Sequence, residues 1–138
     1  MRNNCSYECE IKHSVVYAKL IGSFNERIAK QLYNDVQHNL LPQLKGQAFA
    51  YFVDLTEFQG ATPEAHLINN QVNQLLNNAG LVNKAVLVTT NFQFDVAVVM
   101  SDALKVQKAY TKTFISKAEA LEWLASKGFT IDSLNVAS

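Results

Sequence analysis

Ala48-Phe49-Ala50-Tyr51-Phe52-Val53-Asp54 is the stretch on which the fold turns. It is apolar without a break up to Asp54, so it does not alternate toward water on either face. A strand with that pattern is covered on both sides, as in a parallel sheet flanked by helices. A second such run, Ala85-Val86-Leu87-Val88, ends on Thr89-Thr90. Between the two, Ala65, Ile68, Val72, Leu75, Leu76 and Ala79 recur at helical spacing. Thr62 is a natural N-cap for that helix and Pro63 suits its first position. Glu64 complements its positive end, and Gly80 closes it. Two buried strands joined through a helix predict a crossover unit with parallel strands.

Toward the N-terminus, Cys5, Tyr7, Cys9, Ile11 and His13 alternate with Ser6, Glu8, Glu10 and Lys12, which predicts a strand with one buried face. A second strand, Val15 to Ile21, follows and stops at Gly22. The gap at His13-Ser14 leaves room only for a tight turn, so the pair reads as an antiparallel hairpin. Ser23 to Glu26 has capping-box spacing and opens a helix that turns Ile28, Ala29, Leu32, Val36 and Leu40 inward. Pro42 should end or kink this helix, and Gly46 is a plausible stop.

Toward the C-terminus, a helix is expected from about Phe94 to Lys108 and a short strand from Thr111 to Ile115. Ser116 to Glu119 repeats the capping spacing and opens a last helix, with Leu121 and Leu124 inward and Gly128 as its stop. The expected order is β-β-α-β-α-β-α-β-α: a mixed-sheet α/β layer fold in one domain spanning residues 1–138.

Composition narrows the function. Of 138 residues, 49% are hydrophobic and 17% charged, which is ordinary globular material. Twelve basic and twelve acidic side chains cancel, so no global field draws nucleic acid or an anionic membrane surface. Lys105, Lys108, Lys112 and Lys117 read as a solvated face. No apolar run approaches the roughly 20 residues that span a bilayer, and the start carries no signal-peptide pattern. The expected location is the cytoplasm, with both cysteines reduced.

Motifs for chemistry are missing. Cys5, Cys9 and His13 are regularly spaced, but on a strand positions four apart lie roughly 13 Å from one another, too far to share one metal. There is no glycine-rich phosphate loop and no Gly-x-Ser-x-Gly elbow. No cofactor and no catalysis are expected. An enzyme built on Asp54 and His66 is the weakest alternative, since nothing places a nucleophile beside them.

The stretch after the central strand is more informative. Asp54 to Pro63 reads as a loop at a strand's carboxyl end, where α/β sheets gather ligands and switches. The helix behind it has no Asp, Glu, Lys or Arg from Ala65 to Asn83, and its polar positions are nearly all amides. Such a face is cheaper to desolvate than a charged one and still offers hydrogen bonds. Asp54, Thr56, Thr62, His66, Asn69, Asn70, Asn73 and Asn77 are therefore the candidate contact residues, for a protein partner or a second copy. The competing reading is an ordinary solvated helix.

The hairpin, the alternating order and the central strand running into Asp54-Leu55-Thr56 resemble the STAS domain of bacterial anti-sigma-factor antagonists. The stretch from Phe114 to Leu124, with Ala120-Leu121-Glu122-Trp123-Leu124, resembles its SpoIIAA-like branch, related in shape to lipid-binding SEC14 domains. The resemblance covers about Tyr7 to Phe129 and implies a regulatory, protein-binding module. Its alternative implication is a carrier of an apolar small molecule held between the amide-rich helix and its neighbour. One departure matters. The antagonists carry a phosphorylatable serine at the start of the helix after the central strand, and here Gly60-Ala61-Thr62-Pro63-Glu64 contains none. Thr62 is the one hydroxyl at this helix start, either a phosphoacceptor or a simple N-cap, and Glu64 opposes a phosphate there.

Overall fold

The computed structural model describes residues 6–89 and 110–130. A hairpin comes first, β1 (Ser6–Lys12) against β2 (Val15–Phe24), with His13 in a left-handed turn at φ 58°. Helix α1 (Glu26–Asp35) follows, widens into a π-helical turn at Val36–Leu40, and closes with a single turn, α2 (Leu41–Leu44). Then come β3 (Phe49–Ala61), α3 (Pro63–Ala79) and β4 (Leu81–Leu87), and after them β5 (Tyr110–Phe114) and α4 (Lys117–Ser126). Cys5 and the helix expected over 94–108 lie outside the described residues.

The five strands among the described residues lie in chain order, β1-β2-β3-β4-β5, antiparallel in the hairpin and parallel from β2 onward. The two apolar runs are parallel neighbours, as their unbroken patterns predict: Phe52 stands opposite Ala85 and Val53 opposite Val86. One side of the sheet takes α1 and α3. There Val16, Ala18, Leu20, Tyr51, Val53 and Leu55 meet Ile28, Leu32, Val72 and Leu76. On the other side, Ala120 and Leu124 of α4 cover Tyr17, Phe52, Leu87 and Phe114. Because side chains alternate across a strand, successive residues of β3 feed the two cores in turn.

Three local expectations are corrected. The stretch from Asp54 onward is not a loop. β3 continues to Ala61, paired with a β2 that runs past Gly22 to Phe24. Register shifts between Lys19 and Ile21, and again between Gly22 and Ser23, break the period of two and disguise the strand in sequence. Because β2 extends this far, Ser23 is still in the strand and cannot cap α1. Asn25 does so, its Oδ1 accepting from the Ile28 amide at 2.9 Å. Pro42 does not end the helix. It cannot donate to the carbonyl four residues back, and the chain passes through the wider π turn just before it. The chain then leaves through left-handed Lys45 and Gly46, φ 54° and 77°.

Candidate functional site

The start of α3 is fixed by the ends of two strands, β2 and β3. Thr62 Oγ1 accepts from the Ala65 amide at 3.1 Å, capping the helix. The Thr62 amide itself donates to the Phe24 carbonyl at 2.9 Å, which ties the cap to the end of β2. Thr62, Pro63 and Glu64 are exposed, His66 is half-buried, and Leu67 stands 65% exposed. The sheet edge thus holds a rigid shelf with one large apolar side chain projecting from it.

The candidate contact residues divide into two groups. By alternation with Phe52, Asp54 points to the α4 side of the sheet, across from α3. It is 7% exposed, and its Oδ1 accepts from the Thr56 amide at 2.9 Å and from Thr56 Oγ1 at 2.6 Å. That closed local turn is structural, and the sheet separates Asp54 from His66, which removes the geometric basis of an acid–histidine pair. Beside Asp54, Lys19 bonds Glu57 at 2.7 Å, and this contact raises the lysine's pKa. Burial, with the nearby Asp54 charge, pushes the Tyr17 hydroxyl up to about 12.

On α3, Thr62 and His66 sit at the helix start with half-buried Asn69 and Asn70 following. Asn73 is a correction: it is 7% exposed and faces the sheet. Its Nδ2 donates to the Asn69 carbonyl at 3.0 Å, and its Oδ1 accepts from Lys84 Nζ at 2.9 Å. Asn77, one turn further, is half-buried, so the amides do not form one uniform outward face. The outward stripe is Leu67, Gln71, Gln74 and Asn78. Leu67 is visible in the sequence as the one large apolar residue of α3 off the Ala65–Ile68–Val72–Leu75–Leu76–Ala79 stripe.

A groove of about 780 Å³ opens elsewhere, between edge strand β1 and α1. Tyr7, Cys9, Glu10, Arg27, Gln31 and Asp35 are among the residues that line it. Tyr7 donates its hydroxyl to Asp35 Oδ2, and the other Asp35 oxygen accepts from Asn39 Nδ2 at 2.8 Å. Burial and the Asp35 contact hold the Tyr7 phenol protonated far beyond its usual range, and burial lifts the Cys9 thiol to about 11. A protonated, half-buried thiol is a poor nucleophile and a poor metal ligand.

No family model and no curated protein matches the chain. Solved structures do. An uncharacterised DUF3478-family protein with a SpoIIAA-like fold, from Shewanella loihica PV-4, superposes with a TM-score of 0.67 at 18% identity, over 90% of this chain and 98% of that one. A Thermotoga maritima protein assigned as an anti-sigma factor antagonist superposes with a TM-score of 0.61 at 14% identity, over 86% of this chain and 94% of that one. The chain has a SpoIIAA-like fold. Coverage this complete makes the SpoIIAA-like fold as a whole the shared framework. Identities this low carry the framework and not the site residues.

Proposed function

We propose that this chain is a non-catalytic regulatory module that binds a protein partner at the sheet edge where α3 begins, through Thr62, His66, Leu67 and Asn70. The observation that carries this reading is Leu67, 65% exposed on a helix with no charged side chain from Ala65 onward. An exposed apolar anchor bordered by uncharged polar groups is inexpensive to desolvate, and it is held on a rigid strand–helix junction. The likeness to a protein assigned as an anti-sigma factor antagonist supports a regulatory role of this kind. Thr62 acts here as a cap at an exposed position of the chain.

The apolar-carrier alternative gains nothing from the β1–α1 groove, whose lining includes Glu8, Glu10, Arg27 and Asp35. The test is differential cross-linking in cell extract with wild type, Leu67→Asp and, as a control across the sheet, Glu122→Lys. The proposal expects a cross-linked species that mass spectrometry identifies, lost with Leu67→Asp and kept with Glu122→Lys. Equal capture by all three folded proteins overturns the assignment of this surface.

A further inference from the structure

Lys84 is an unusual residue for the middle of a sheet. It lies in β4 among apolar neighbours and is 6% exposed. Its Nζ donates to Asn73 Oδ1 at 2.9 Å and sits 5.4 Å from the centre of the Tyr51 ring. Among the described residues, no carboxylate lies within ion-pair distance of it. An ammonium needs more than one neutral amide and one ring face to replace its water, so this burial is costly. The Tyr51 hydroxyl adds no counter-charge, because burial keeps it protonated.

The cost falls on a particular contact. Asn73 belongs to α3, and the same side chain also bonds the Asn69 carbonyl one turn back. Among the described residues, the partners of the ammonium are therefore Asn73 on the helix that carries Leu67 and Tyr51 on the neighbouring strand. If α3 stays seated, Lys84 remains desolvated; if α3 lifts, water reaches the ammonium. The rest of the α3 seat is apolar: Ala65, Val72 and Leu76 are buried, Ile68, Leu75 and Ala79 are partly so, and α3 packs alongside α1.

We propose that the buried Lys84–Asn73 contact makes α3 the detachable layer of this fold, so that the contact surface at its start is regulated by displacement of the helix. The location of the regulated surface rests on the binding reading given above; the displacement itself does not. Hydration of Lys84 on opening offsets part of the apolar contact that opening gives up. Burial depresses the lysine's affinity for its proton, which has the same physical origin. A partner that prefers the lifted helix can then shift the population by its differential affinity for the two states.

Native-state hydrogen exchange on the full chain tests this without any partner. The amides of α3 are compared with those of β3 in wild type, Lys84→Met and Asn73→Leu. Lys84→Met removes the hydration gain and should raise α3 protection by on the order of 10- to 100-fold more than it raises β3 protection. Asn73→Leu leaves the ammonium with the ring alone and should lower α3 protection while β3 changes less. Equal changes in α3 and β3 overturn the proposal, because α3 then opens only with the whole domain. Lower α3 protection in Lys84→Met, or failure of that variant to fold, also overturns it, because Lys84 is then a net tie. A Leu67 binding defect with uniform exchange would leave the contact surface intact and remove only the displacement.

Discussion

Lys84 makes the stability of this protein depend on alkaline pH in a calculable way. Burial pushes its pKa from 10.5 down to about 8 in the folded chain. In the unfolded chain it returns to the ordinary value. Between those two values the unfolded state holds more protons than the folded one, so this residue's contribution to stability rises with pH across the window. Below pH 8 the whole penalty is present, roughly 3 kcal/mol at 1.36 kcal/mol per unit. By pH 9.5 the unfolded lysine is still mostly charged while the folded one is neutral, and about 2 kcal/mol of the penalty has gone. Tyr7, Tyr51 and Cys9 are shifted upward, so they contribute the opposite slope at high pH. They are present in both proteins and cancel in a difference. The bond that Asn73 loses in the variant shifts the gap by the same amount at both pH values, so it cancels when the two gaps are compared. Urea unfolding of both proteins, followed through Trp123 fluorescence at pH 6.5 and 9.5, therefore reads the lysine alone. The stability gap, variant minus wild type, should narrow by about 2 kcal/mol, a midpoint movement of roughly 1 M urea. A gap constant to within about 0.5 kcal/mol would refute the reasoning, since Lys84 would then be hydrated in the folded state.

Two further outcomes follow from the cores. Phe52→Ala should cost about 3–5 kcal/mol, because the ring is fully buried between Tyr17 and α4, and chemical denaturation measures it directly. A loss under about 1 kcal/mol would mean that the α4 side is not a packed core. Cys9 should react slowly with a thiol reagent at pH 7 and gain rate roughly in step with hydroxide up to pH 10, since its thiol is lifted to about 11. A rate that levels off near pH 8.5 would place the thiol in water instead.

What could be read from sequence here was what local patterns dictate. Phe49 to Val53 and Ala85 to Leu87 are unbroken apolar runs, and no other element type buries both faces so compactly in a parallel sheet. Thr62, Ser116 and Gly80 punctuate their helices through local backbone chemistry, so they too were legible. What escaped was set by distant partners. Leu55-Thr56-Glu57-Phe58 reads as a turn because the register shift against β2 spaces its two buried residues three apart. Ser23 carries a good capping signal, but pairing with Gly60 keeps it in the strand. The amides of α3 look equivalent in sequence, and only Lys84, a residue of the next strand, selects Asn73 for burial. In sequence Asp54 groups with the α3 amides because both follow the apolar run of the central strand. Alternation across the sheet puts it on the opposite side.

The coincidence of strand order with chain order bears on how this protein is made. Among the described residues each strand pairs with the one before it, so none of these strands must be inserted between two already in place. The sheet can grow outward from the hairpin as the ribosome releases it, with low loop-closure cost at each addition. During synthesis, the dangerous interval is the one after β3 emerges and before β4 does. Through it, Phe49 to Val53 present a bare apolar edge, with no charged residue before Asp54 to discourage pairing with another nascent chain. The helix α3 spans that interval in sequence, so its length sets how long the growing sheet stays open.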